Sequence, residues 1–210
     1  VELLHLATLV HDDVIDNAAT RRGVLALHKK FGVKPAVLCG DYLLCLALET
    51  VSGLTPREDR KNLVDRALPR YLTAVLAGEL RQDSNSRNYA LTESEYFEII
   101  GGKTASLFEA SFYVGFLHSD EPEDLKAGFQ AIGRDIGLIF QLSDDCADYE
   151  ATAGEVKKPV LSDFKTGVVT LPLIYALRED AGLKEKITGR MRPEALRKSV
   201  ITAGGVRYTR

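Results

Sequence analysis

Apolar residues in this chain recur at intervals of three and four, a period that predicts helices from end to end and no sustained strand. Leu3, Leu4, Leu6, Leu9, Val10, Val14 and Ile15 mark the first helix; a loop over 17–24 and a short segment near Leu25–Phe31 follow. Pro35 suits the first turn of a second long helix reaching Val51. Its Val37, Leu38, Leu43, Leu44, Leu46 and Leu48 leave it apolar nearly all round, which predicts a central position. Gly53-Leu54-Thr55-Pro56 reads as a turn with Thr55 as N-cap, opening a helix that runs to Gln82 with Pro69 bending or dividing it. Ser84–Asn88 is a polar loop, and the capping-box pattern Thr92-Glu93-Ser94-Glu95 starts a helix carried through Gly101-Gly102-Lys103-Thr104 to Leu117. After a turn at His118–Glu121, Pro122 begins another long helix. Residues 150–167 hold Gly154, Pro159 and Gly167 with few apolar side chains, and a loop of that length is expected to be a functional lid. Helices over Leu171–Arg178 and Pro193–Ile201 complete the pattern.

Composition narrows the class. The chain has 210 residues, 45% of them hydrophobic, enough for a single domain over 1–210 with a core and a cavity. A formal net charge of −3, with no basic stripe interleaved with aromatics, argues against a nucleic-acid partner. Cys39, Cys45 and Cys146 form no C-x-x-C pair and read as small hydrophobes in a reducing compartment. No uninterrupted apolar run reaches the roughly 18 residues of a membrane span, and no signal peptide is visible, so a cytoplasmic location is expected. The chain opens on Val1 in mid-helix and its only methionine is Met191, so it is expected to be a piece of a longer product.

The candidate chemistry lies in His11-Asp12-Asp13-Val14-Ile15-Asp16, with Arg21-Arg22-Gly23 beyond it. On a helix Asp12 and Asp16 share one face a turn apart, and Asp13 lies about 100° round from them. Read alone, the stretch could be a solvated acidic helix end followed by a basic loop. A second copy of the spacing, Asp144-Asp145-Cys146-Ala147-Asp148, follows Gln141-Leu142-Ser143 on another apolar helix and changes that reading. Clustered carboxylates suit Mg²⁺, which takes hard oxygen ligands and leaves positions for phosphate oxygens. The two arginines supply donors for phosphate. An EF-hand is excluded, because a loop from Asp12 to Gly23 lacks the Gly at position 6 and the closing Glu.

Taken together, His5, the first acid motif with Arg21-Arg22-Gly23, Gly40-Asp41-Tyr42-Leu43, Gly102-Lys103-Thr104-Ala105, Gln141-Leu142-x-Asp144-Asp145-x-x-Asp148, Lys158-Pro159-x-x-x-Asp163 and Thr170-Leu171-Pro172 resemble the trans-isoprenyl diphosphate synthases in order and spacing. The resemblance implies an all-α isoprenoid synthase bundle around a central cavity, with the acid motifs facing each other across its mouth and the 150–167 loop over it. It implies a prenyltransferase that joins an allylic prenyl diphosphate to isopentenyl diphosphate and releases diphosphate. By the resemblance Asp12, Asp13, Asp16, Asp144, Asp145 and Asp148 hold Mg²⁺, about three ions per site, which act as Lewis acids on the leaving group. Arg21, Lys103 and Lys158 add fixed positive charge there. Arg22 and His5 hold the second diphosphate, and Thr104 and Gln141 position the allylic end. Lys103 alone would read as an exposed helix lysine; the resemblance gives it its role.

Two departures from the family pattern stand out. The upstream Gly-Lys-x-x-Arg segment that binds isopentenyl diphosphate is missing, so the chain is expected to lack its N-terminal helices as well as its C-terminal end. Val168 stands where the family often has a lysine before T-L-P. Ala7 and Thr8, five and four residues before Asp12, are small where short-chain synthases tend to carry an aromatic. The resemblance therefore implies a long-chain product, hexaprenyl or longer, of the kind used for quinone side chains. It also implies a homodimer, or a heterodimer with a small regulatory subunit, and the apolar surface on Pro35–Val51 and Glu93–Leu117 fits a face buried between subunits. A class I terpene cyclase usually carries N-D-x-x-[ST]-x-x-x-E as its second motif, and a non-catalytic partner subunit tends to lose an acid motif; intact Asp144-Asp145-x-x-Asp148 disfavours both.

Overall fold

In the computed structural model of the chain the described residues are 1–53, 61–150, 161–189 and 191–210, the side chains of 61–68 excepted. They gather into two compact units, Val1–Arg70 with Ala110–Phe129, and Tyr71–Glu109 with Gln130–Arg210. The all-α expectation holds: apart from one two-stranded ladder, every regular element among the described residues is helical.

In the first unit α1 (Glu2–Ile15) packs along α3 (Val33–Ser52), and the short α2 (Leu27–Phe31) touches both. The contact is close because α3 carries Gly40. A Cβ there would stand 2.3 Å from the Nε2 of His11, and that nitrogen lies 3.2 Å from the Val37 carbonyl and 3.3 Å from the Asp41 carboxylate. The expected loop at 17–24 contains the ladder: β1 (Thr20–Arg21) pairs antiparallel with β2 (Val24–Leu25), Arg21 opposite Val24. Its two-residue connection is Arg22 at φ 50° and Gly23 at φ 83°. Two successive left-handed residues match the twist of a tight hairpin, so the R-R-G sequence is a turn whose second position suits glycine. Arg22 holds a conformation that disfavours a Cβ.

The expectation that the second long helix is central is corrected. Among its described residues only Ala36, Gly40 and Ala47 are buried, while Leu38 is 57% exposed and Val33, Val37, Tyr42 and Leu48 also face outward. Its main neighbours α1 and α2 cover one side, and apolar sequence on the rest of the circumference cannot by itself supply a partner. By length and composition α3 is also long and apolar enough to cross a membrane, although Lys34, Asp41 and Glu49 interrupt it. Core helices pass the same test.

α4 (Lys61–Ser84) runs on through Pro69, and the anticipated turn at Thr55 and Pro56 lies outside the described residues. The capping box forms as expected: the Thr92 hydroxyl accepts the Glu95 N–H at 3.2 Å and Glu95 accepts the Thr92 N–H at 2.8 Å. The helix it opens is not uniform. α5 (Glu93–Ile100) passes into a π-helical turn at Gly101–Ala105 and then into α6 (Ser106–Leu117). After a 3₁₀ turn at Glu123–Leu125 comes α7 (Lys126–Glu150), which carries the second acid motif. Residues 151–160 of the expected lid lie outside the described residues, and its end is helical, α8 (Ser162–Thr166). α9 (Leu171–Glu179) and α11 (Pro193–Thr202) sit where expected; α10 (Leu183–Thr188) and α12 (Gly205–Thr209) are too short for periodicity to announce. The core of the second unit is built on Cys146 and Tyr149 of α7, Leu171 and Leu173 of α9, and Leu196 and Val200 of α11.

The π turn lies against α4 at backbone distance. A Cβ on Gly78 would stand 2.2 Å from the Lys103 nitrogen, and one on Gly102 would stand 2.8 Å from the Ala74 carbonyl. Gly78→Ala is therefore expected to destabilise the protein by about 1–3 kcal/mol. Gly115→Ala, at a helical site where a Cβ meets nothing within 4 Å, should stabilise it by about 0.5–1 kcal/mol. Urea denaturation of the two variants, read at unchanged m-value, checks both signs.

Candidate active site

The first acid motif ends α1. Asp13 is only 4% exposed, and its Oδ1 accepts both Nε of Arg21, at 2.9 Å, and the guanidinium NH2, at 2.5 Å. Asp13 thus faces inward and fixes the hairpin, and Arg21, expected at a phosphate, is spent at least partly on it. Asp12 is half-buried and Asp16, the C-cap of α1, is exposed, one turn on. Arg22 is exposed at the tip of the hairpin. His5 is half-buried; Thr8 is half-buried too and donates to the His5 carbonyl at 2.8 Å. Ala7 is 2% exposed and lies one turn before His11, on the side of α1 that meets Gly40.

The second acid motif repeats this division. Asp144 is exposed. Asp145 is buried and accepts the Tyr96 hydroxyl at 2.5 Å and the Gln141 amide at 2.8 Å. Asp148 caps α8: its carboxylate accepts the Ser162 N–H at 3.0 Å, the Ser162 hydroxyl at 3.1 Å and the Asp163 N–H at 3.3 Å, meeting donors that a helix start leaves without partners. The π turn brings its own residues to the same place. Thr104 donates to the Gln141 carbonyl oxygen at 2.7 Å, and Lys103 pairs with Glu79 of α4 at 2.8 Å. A π turn inside an α-helix often marks a functional site; here it sets Lys103 toward α4 and Thr104 toward α7. Lys158 lies outside the described residues.

Asp163 joins this cluster. It appears in the sequence motif with Lys158-Pro159, which was the available signal, yet helical periodicity gave it no role. Burial pushes its carboxyl up to about 7, and the charges of Asp148, Asp145 and Asp144 add to the shift against the pull of Lys103. Burial likewise raises Asp145 to about 6, while its hydrogen bonds from Tyr96 and Gln141 hold it down. Tyr96 and Glu79 had no signal in the sequence, since each acts through a partner far along the chain.

Crowded carboxylates with raised proton affinity are what a divalent cation relieves. Among the described residues no three His, Cys, Asp or Glu side chains form a ready metal cage.

An all-α fold carrying two helical D-D-x-x-D motifs, one of them beside a G-K-T turn, defines a class, and the comparisons agree. Residues 1–202 match the family model described as Polyprenyl synthetase, and the chain belongs to the polyprenyl synthetase family. It is 35% identical over 181 residues to the heptaprenyl diphosphate synthase component 2 of Geobacillus stearothermophilus, covering 86% of this chain and 55% of that protein. It is also 35% identical over 178 residues to a short chain isoprenyl diphosphate synthase of Methanocaldococcus jannaschii, covering 85% of this chain and 54% of that protein. The crystal structure of a polyprenyl synthase from Caulobacter crescentus CB15, complexed with calcium and isoprenyl diphosphate, superposes with a TM-score of 0.84 at 32% identity, covering 99% of this chain and 65% of that one. The chain spans about half the length of the curated relatives it matches.

The raised carboxyls carry a pH dependence. Asp145 and Asp163 release protons in the unfolded chain near 3.8 but hold them up to about 6 and about 7 when folded. Between these values the folded state binds more protons, so stability falls as pH rises through that window and returns on acidification. Melting of the protein in chelator should therefore occur at higher temperature at about pH 5 than at about pH 7.5. Asp163→Asn should flatten the difference.

Proposed function

We propose that this chain carries the catalytic part of a Mg²⁺-dependent trans-prenyl diphosphate synthase, within one isoprenoid synthase domain. The reading rests on one observation above the rest. The hydrogen bond from Thr104 to Gln141 sets the G-K-T turn beside the second acid motif, so Lys103 and Asp144, which this reading assigns to phosphate and metal, belong to the same unit.

In this reading Asp12, Asp16 and Asp144 hold Mg²⁺, and Asp13, Asp145 and Asp148 belong to the same motifs. When bound, Mg²⁺ supplies Lewis acidity to the diphosphate of the allylic substrate. Lys103, Arg21 and Lys158 add positive charge where that diphosphate departs. The allylic C–O bond breaks, and Thr104 and Gln141 orient the resulting delocalised cation. Arg22 and His5 hold the diphosphate of isopentenyl diphosphate, whose double bond attacks the cation. A proton is then lost to the departing diphosphate, and the product is one isoprene unit longer. No side chain of the protein needs to act as a base.

The product is long-chain, because Ala7 and Thr8 leave no bulky floor before Asp12. Identity with relatives does not decide this, since a heptaprenyl and a short-chain synthase match equally well. Assembly uses the outward apolar side of α3, in a homodimer or with a small regulatory subunit. The Geobacillus relative, as component 2 of a heptaprenyl diphosphate synthase, supports the heteromeric form. The enzyme acts in the cytoplasm on small-molecule diphosphates.

The test is direct. Full-length protein incubated with Mg²⁺, farnesyl diphosphate and labelled isopentenyl diphosphate should yield polyprenyl diphosphates of hexaprenyl length or more. Asp12→Ala and Asp144→Ala should each lower turnover by about 100-fold or more with melting temperature preserved; near-normal turnover in either sinks the assignment. Thr8→Phe should shorten the product without abolishing ionisation. Ala7→Phe should do so too, with a stability cost of about 1–3 kcal/mol, because Ala7 is packed. Unchanged product length in both would remove the chain-length reading and leave the rest intact.

A further inference from the structure

Asp145, assigned from its motif as a metal ligand, accepts a hydrogen bond on each of its oxygens. It is 1% exposed, and Tyr96, whose hydroxyl donates to its Oδ2 at 2.5 Å, is 3% exposed. Its Oδ1 accepts Nε2 of Gln141 at 2.8 Å, and Oε1 of Gln141 accepts the Thr104 hydroxyl at 2.7 Å. A chain of hydrogen bonds thus runs Tyr96, Asp145, Gln141, Thr104, from the buried side of α5 to the half-buried π turn.

The chain has a fixed direction. An ionised carboxylate only accepts, so the nitrogen of the Gln141 amide must face Asp145 and its oxygen must face Thr104. The Thr104 hydrogen is then committed to Gln141, and the lone pairs of Oγ1 point elsewhere. Without the carboxylate the amide could turn over, and the hydroxyl could donate in another direction. Packing holds the spacing: a Cβ on Gly137, one turn before Gln141 on α7, would stand 2.6 Å from the Ala105 Cα, so α7 and the π turn meet as closely as backbones can. A metal bound to Asp145 would have to share oxygens that already accept hydrogen bonds from buried donors, on a carboxylate that solvent scarcely reaches.

We propose that Asp145 and Tyr96 form a positioning pair that fixes the Gln141 amide and, through it, the Thr104 hydroxyl at the allylic end of the substrate, and that Asp145 is not a metal ligand. The proposal rests on the synthase reading above. Oxygen lone pairs held in place before charge develops stabilise a cation without reorganisation, so the pair acts on the chemical step and leaves metal and isopentenyl diphosphate binding alone.

The experiment uses the full-length enzyme with Tyr96→Phe, Asp145→Asn and, as control, Asp144→Ala. Four readouts are compared: kcat, KM for isopentenyl diphosphate, the Mg²⁺ concentration at half-maximal rate, and the rise in melting temperature caused by Mg²⁺ with inorganic diphosphate. Tyr96→Phe and Asp145→Asn should lower kcat by about tenfold or more. KM, the Mg²⁺ requirement and the melting rise should stay within about twofold of wild type, whereas Asp144→Ala should lose the melting rise. A tenfold higher Mg²⁺ requirement with loss of the melting rise in Asp145→Asn would make it a ligand and overturn the proposal. Unchanged kcat in both variants would overturn it as well. Should Asp145→Asn fail to fold, Tyr96→Phe leaves the carboxylate in place and carries the test alone. A wild-type enzyme without turnover would instead remove the synthase reading and this proposal with it, a result distinct from the others.

Discussion

The second unit depends on how closely a single irregular turn can be approached. The π turn at Gly101–Ala105 lies against α4 at Gly78 and against α7 at Gly137, and at each point a methyl group would overlap a main-chain atom. Close approach lets short side chains act across the gap: the Lys103 ammonium reaches Glu79 and the Thr104 hydroxyl reaches Gln141. With a regular helix at this position the same residues would be rotated away from one or other neighbour. The extra residue of the π turn is what allows consecutive side chains to serve two different helices.

The two acid motifs show one construction used twice. In each, the middle aspartate is turned inward and bound by donors of the protein: Asp13 by Arg21, and Asp145 by Tyr96 and Gln141. In each, the first aspartate stays more open. The cause is the 100° step of the helix, which places neighbouring residues on different faces. A motif written as three equal acids is therefore built of carboxylates with different work. Those facing in are held by donors of the protein, and those facing out are more exposed. Asp148 adds a third use, closing the first turn of α8 and so drawing Asp163 into the cluster.

Both constructions occur in a chain that belongs to the polyprenyl synthetase family. The apolar side chains of α3 face outward from their unit. Such a surface is costly in water.

Much of this was legible in the sequence, and for a physical reason. Helix positions, the Thr92 capping box, the spacing of both acid motifs and the family itself are set by residues within a few positions of one another, and the helical repeat is fixed by backbone geometry. Irregular features were not legible. Nothing local distinguishes the π turn from ordinary helix within Gly101-Gly102-Lys103-Thr104, and nothing local says that α3 keeps an uncovered side. Nor could the sequence say which aspartate of each motif is buried, because burial depends on what is packed against a face and not on the face alone. Tyr96 meets Asp145 across 49 positions and Thr104 meets Gln141 across 37; only the folded chain, by bringing those surfaces together, decided which carboxylates are buried and which face outward.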